Sequence, residues 1–169
     1  ALELENGFFV LVGFGVRIVA AVVAEVVEAL LDAGDDINRI QVPADSVNAL
    51  SVGAADRSGA EWKKAAYSAI GPGRSPGRRK PDVVAFGGAP KEYSHVAAPG
   101  LKPNVAATLG TSFAAPLALR SAVGIRAILG DPVHPLTIKA LLVHGCDSAD
   151  DHDVRQVGWG RVPSDMNRL

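Results

Sequence analysis

The sequence predicts an α/β layered fold with a mostly parallel sheet, and three observations carry that prediction. Short apolar runs bounded by glycine or turn residues recur along the chain, as in strands buried on both faces. Longer stretches with helical spacing of polar residues separate them, the alternation expected of an α/β layered fold. The chain has 169 residues, 48% apolar and 21% charged, enough hydrophobic surface for one globular core and too much for disorder.

The elements follow in order. Gly7 to Phe14 (GFFVLVGF) reads as a buried strand, and Arg17 to Asp32 as a helix whose polar residues Arg17, Glu25, Glu28 and Asp32 fall on a narrow stripe. Gly34 ends that helix, and residues 35–43 connect it to a second strand at Asn48 to Ala55. Gly71 to Pro81 (GPGRSPGRRKP), rich in glycine, proline and basic residues, reads as a solvated surface loop. Asp82 to Phe86 is a third strand. Tyr93 to Ala97 and Val105 to Leu109 flank a turn at Pro99, Gly100 and Pro103 and can pair as a hairpin. Thr111 to Leu129 is the longest clean helix after the first, and Leu136 to Val143 forms another behind Pro135.

Composition excludes several classes. Seventeen basic against eighteen acidic residues give a net charge of -1, so no global field draws the chain to nucleic acid or to an anionic membrane. The basic loop lacks interleaved aromatic residues and predicts no nucleic-acid partner. Phe8 to Ala24 approaches a spanning length, but Arg17, Gly13 and Gly15 interrupt it, and a strand followed by a helix accounts for it better than a membrane segment. The opening acidic residues do not suit a signal peptide. The lone Cys146 cannot form an internal disulfide, which favours a reducing, cytoplasmic setting. No cofactor is indicated. The acidic run Asp147 to Asp153 (DSADDHD) lacks the glycine and terminal glutamate of a calcium loop and reads as a solvated loop, with no metal site.

One segment carries chemistry. Gly110 to Pro116 (GTSFAAP) sets a serine at the start of a long helix. Gly110 leaves room for close approach, and Ser112 projects where unpaired N–H groups and the helix dipole favour a developing negative charge. The structural alternative is that Thr111 or Ser112 is only an N-cap.

GTSFAAP resembles the serine motif of the subtilisin-like serine proteases, G-T-S-x-A-A-P, at every defined position. PADSVNALSVGA (43–54), YSAIGPG (67–73), KPDVVAFGG (80–88), IKALLVHG (138–145) and GWGRV (158–162) are similar to family segments in the same order. The likeness is clearest over residues 40–163 and poor over residues 1–35. Residues 1–169 are thus expected to form part of a subtilisin-like catalytic domain, a three-layer fold that is incomplete here. The resemblance implies a serine endopeptidase acting on polypeptide through an Asp, His and Ser triad. Ser112 would be the nucleophile, and Gly110 and Thr111 would support it and the oxyanion. The family's aspartate and histidine motifs are absent, so the chain alone is expected to be inactive. His95, His134, His144 and His152 all read as structural or solvated. Where the family has an oxyanion asparagine, the strand here ends GFFVLVGFG, which puts Gly13 and Phe14 at the substrate cleft and Phe14 or Gly15 near the asparagine's place; Asp35 is a looser candidate. Phe86 stands where the family commonly has proline. The rival reading is a catalytically dead domain that binds peptide or a partner protein.

Overall fold

The computed structural model of the chain describes residues 8–10, 20–23, 39, 40, 42, 44–73, 78–98 and 104–165. Six strands and three helices appear among them: β1 (Phe8–Val10), β2 (Ala20–Val23), β3 (Leu50–Ala55), β4 (Val83–Phe86), β5 (Ser94–Ala98), β6 (Asn104–Thr108), α1 (Thr111–Leu129), α2 (Pro135–His144) and α3 (Val154–Val157). The first four strands form one sheet in chain order. β1 runs antiparallel to β2, while β2, β3 and β4 are parallel, with Ala20 opposite Leu50 and Val52 opposite Val83. β5 and β6 form the expected antiparallel hairpin, Ser94 opposite Thr108.

The parallel strands β3 and β4 are buried on both faces, and their sequences show why. β3 (LSVGAA) is buried at every position, and β4 (VVAF) at all but the last. Successive side chains leave a strand on opposite faces. Leu50, Val52, Ala54, Val83 and Ala85 therefore meet Ala114, Ala115, Ala118, Ala122 and Ile125 of α1, together with Ile138 and Leu142 of α2. On the other face Ala55 and Val84 pack with Trp62 and Val157 of α3. Among the described residues this second outer layer is thin, a loop and one helical turn. The C-terminal segment extends the sheet, since Val84 N–H donates to Gly160 O and Val162 N–H to Val84 O, both at 2.9 Å.

Two expectations need correction. The helix over residues 17–32 does not hold at Ala20–Val23, which is strand β2, hydrogen-bonded to β1 and β3. The run VRIVAAVVAEVV suits a buried strand as well as a buried helix, and its β-branched residues fit a site between two strands. The solvated loop at Gly71–Pro81 is also partly interior: Gly71, Gly73, Lys80 and Pro81 are buried, and Lys80 is only 2% exposed. Its charge is held by Asp82. The ammonium of Lys80 lies 2.6 Å and that of Lys139 3.0 Å from that carboxylate, which also accepts from the Ser51 N–H at 2.7 Å and the Ser51 hydroxyl at 3.1 Å. Both lysines donate to Ala49 O as well. A buried carboxylate with two cations and two further donors has its lone pairs occupied, the condition under which charge can be kept inside.

Among the described residues, the apolar N-terminal run contributes two short strands, Phe8–Val10 and Ala20–Val23. Among the described residues α1 is long and apolar enough to cross a membrane by length and composition. Seven of its residues are buried in the protein, where it packs on β2, β3, β4 and α2.

Candidate active site

Ser112 is the second residue of α1, whose N-cap is Gly110. Neither Thr111 nor Ser112 caps the helix, because the cap position belongs to a residue without a side chain, so the N-cap alternative does not account for the serine. Gly110 has φ 151° and ψ 154°, a region that only glycine adopts without strain.

The turn that presents the serine is tied to the C-terminal edge of the parallel sheet. Gly87, the residue after β4, donates its N–H to Ala55 O at 3.0 Å and accepts from Gly110 N–H at 3.0 Å. The same Gly110 N–H lies 3.1 Å from the Tyr67 hydroxyl oxygen, and Tyr67 donates to Gly88 O at 2.8 Å. Tyr67 thus links the end of β4 to the start of α1. Burial pushes its hydroxyl up to about 12, against a smaller opposing effect of the Gly110 bond. Gly88 has φ +88°, and a Cβ there would lie 2.6 Å from Ser94 N, at the entry to the β5–β6 hairpin. Thr111 is buried and Ser112 half-buried.

Two features leave Ser112 available. Its N–H is among the first four donors of α1, which have no acceptor within the helix. Pro116 lacks the N–H that would bond the Ser112 carbonyl, yet the helix continues to Leu129. No hydrogen bond of the Ser112 hydroxyl occurs among the described residues. The dipole and the open N–H at this end suit a developing oxyanion.

Two of the histidines are used elsewhere and two lie on the surface. His134 caps α2, its Nδ1 accepting from Leu136 N–H at 3.2 Å. His152 accepts from Ala149 N–H at 3.2 Å, lies 3.2 Å through Nε2 from Trp62 O, and its ring sits 4.2 Å from the Trp62 ring. Acceptance at Nδ1 makes Nε2 the protonated nitrogen. His95 on β5 and His144 at the end of α2 are exposed. None is bonded to Ser112. Asp153 of the acidic run caps α3, and no group of three or more metal-ligating side chains occurs among the described residues. Cys146 donates to Leu142 O, and burial pushes its thiol up to about 12, so it stays a protonated core residue. Gly13 and Phe14, the expected cleft residues, and Asp35 lie outside the described residues.

Sequence reasoning missed Tyr67 as a support of the serine turn. The segment YSAIGPG carries the family likeness, but the contacts that give Tyr67 its role come from residues 21 and 43 positions away.

The profile of the Subtilase family (peptidase S8) matches residues 19–160. No curated protein sequence matches the chain. Among solved structures, the chain is similar to the epidermin leader peptide processing serine protease from Staphylococcus aureus, with 19% identity and a TM-score of 0.58 over 75% of this chain and 32% of that one. It is also similar to the Clostridium perfringens CspB protease, at 24% and 0.56 over 78% of this chain and 28% of that one. For the patellamide maturation protease PatA the values are 25% and 0.53, over 75% and 43%. The chain therefore spans less than half the length of each of these structures.

Proposed function

Because the chain belongs to the subtilase family, whose profile covers residues 19–160, we propose that it is the serine-bearing part of a serine endopeptidase domain. Ser112 is its nucleophile. The observation that carries this reading is the position of Ser112 in the first turn of α1, behind a glycine that only φ 151° explains, at the C-terminal edge of the parallel strands. Ligand sites of open α/β sheets gather at that edge.

In the proposed reaction the Ser112 hydroxyl attacks a peptide carbonyl, and the Ser112 N–H stabilises the oxyanion. Gly110 and Thr111 hold the turn, Gly110 through its bonds to Gly87 and Tyr67. The general base and its orienting carboxylate come from the family's Asp- and His-bearing segments. Among the described residues no histidine is bonded to the serine, and an unassisted hydroxyl is a weak nucleophile at neutral pH.

The test is active-site labelling with a fluorophosphonate. The isolated chain stays unlabelled. Joined to upstream Asp- and His-bearing subtilase segments it labels, and Ser112→Ala abolishes the label. Labelling of the isolated chain would mean that one of its own histidines serves as base. A joined protein that folds but stays unlabelled would favour the catalytically dead domain that binds peptide or a partner protein.

A further inference from the structure

We propose that the edge of the sheet opposite Ser112 carries a docking site for an acidic polypeptide segment, formed by Arg39, Arg78, Arg79 and Arg155 around the turn at Gly71–Gly73. The four arginines come from three separate stretches of sequence; backbone bonds bring Arg39, Arg78 and Arg155 to this turn, and Arg79 is held beside it by Trp159. Arg39 bridges to Ile70, and the adjacent Ile40 N–H donates to Ile70 O at 3.1 Å. Gly73 N–H donates to Arg78 O at 2.9 Å. Gly71 N–H donates to Arg155 O at 2.7 Å, and Arg155 Nε donates back to Gly71 O at 3.3 Å. Arg79 lies over the Trp159 ring at 3.8 Å, and Trp159 is itself anchored by donating its N–H to Asp82 O at 2.9 Å. The patch adjoins the start of β4, so the length of that strand, roughly 13 Å, separates it from the serine turn.

All four residues are exposed, and among the described residues none of them forms an ion pair. Among the described residues, the neighbouring carboxylates Asp82, Asp153 and Asp45 make their contacts elsewhere and are outnumbered by the cations. Asp82 is neutralised by Lys80 and Lys139 beneath the turn. Asp153 sits beside Arg155 but accepts from the Arg155 backbone N–H as the cap of α3. Asp45 acts on Lys80. A chain of net charge -1 therefore gathers a local excess of positive charge on guanidinium groups, the cations best shaped to grip carboxylates in pairs.

The favoured partner is polypeptide. Nucleic-acid surfaces that lack sequence preference combine charge with open aromatic faces, whereas here Trp159 is the one aromatic residue of the patch and Arg79 covers one of its faces. The proposal does not depend on catalysis at Ser112, because the turn and the serine lie at opposite ends of β4.

The experiment is fluorescence anisotropy of a labelled polyglutamate peptide with the full chain over a salt series. Binding should weaken as salt rises, and the double variant R78Q/R79Q should bind about tenfold more weakly, while R78K/R79K, which keeps the charge but loses the paired guanidinium grip, should fall between it and wild type. R120Q, which removes an exposed arginine elsewhere on α1, should bind as wild type. Circular dichroism checks that each variant is folded. Equal losses in R120Q and R78Q/R79Q would reduce the effect to net charge and overturn the proposal. So would unchanged binding in the double variant, or tighter binding of a single-stranded oligonucleotide or an anionic phosphatidylserine vesicle than of the peptide.

Discussion

The two ends of strands β3 and β4 solve opposite problems. At the C-terminal end, neutral groups bond one another: Gly87, Gly88, Gly110 and Tyr67 satisfy their polar atoms mutually and leave the Ser112 hydroxyl unengaged. At the N-terminal end, Asp82 collects two lysines and Ser51 in the interior. The first arrangement holds a backbone turn in place without committing the side chain that would react. The second holds three chain segments together by charge, with every polar atom engaged. Damage should therefore differ in kind: loss of stability when Asp82 is removed, and, on the proposed function, loss of reactivity with little loss of stability when the Ser112 hydroxyl is removed.

The largest expected effect is at the charged end. Asp82→Ala leaves Lys80 and Lys139 facing each other without their carboxylate, and breaking a buried pair by removing one partner costs about 3–5 kcal/mol. Urea unfolding should show that loss. A cost below about 1 kcal/mol would mean that the lysines escape to water and that the network does not hold the segments together.

Alkaline titration should separate the ends by sign. Burial lowers the Lys80 ammonium below its ordinary 10.5, so just below that pH the unfolded chain binds more protons and the Lys80 contribution to stability rises with pH. Tyr67 is raised from 10.0 to about 12. There the folded chain keeps a proton that the unfolded chain has released, so its contribution is complete below pH 10.0 and declines between 10.0 and about 12. Cys146, raised from 9.0 to about 12, declines in the same sense. Unfolding across this range should show Lys80→Met removing the rise and Tyr67→Phe removing part of the fall. The same slope in both variants would break the assignment.

The smallest effect on stability is expected at Ser112. Because its hydroxyl has no bond among the described residues, Ser112→Ala should leave the unfolding free energy within about 0.5 kcal/mol of wild type. A larger loss would show that the hydroxyl is structural, and would weaken its assignment as a nucleophile.

What was legible in the sequence was local. GTSFAAP marked the start of α1 because the glycine, the small residues and the long apolar helix behind them lie within one stretch, and β3, β4 and the hairpin stood out as short runs between turn residues. Ala20–Val23 was not legible, because a continuous run of alanine and β-branched residues fits either element until a partner strand decides it. Lys80 looked like the end of a solvated basic loop, since the carboxylate two residues on was not seen to point inward and Lys139, its other neighbour at Asp82, lies 59 positions away. Tyr67 shows the same limit at the site itself: a hydroxyl that bridges two glycines distant in sequence leaves no periodicity to read.

Of the five α1 residues in the core cluster with β3 and β4, four are alanines, Ala114, Ala115, Ala118 and Ala122, each at most 1% exposed. An alanine has no side-chain rotamers to freeze, whereas burying an Ile or Leu forfeits about 0.5–1 kcal/mol of rotamer freedom. The helix bearing the serine is therefore docked at these positions by atoms that were already rigid. Its position is set by backbone distance rather than by the choice among side-chain conformers, so a substitution as modest as Ala118→Val has no alternative rotamer arrangement to absorb it and must shift the helix itself.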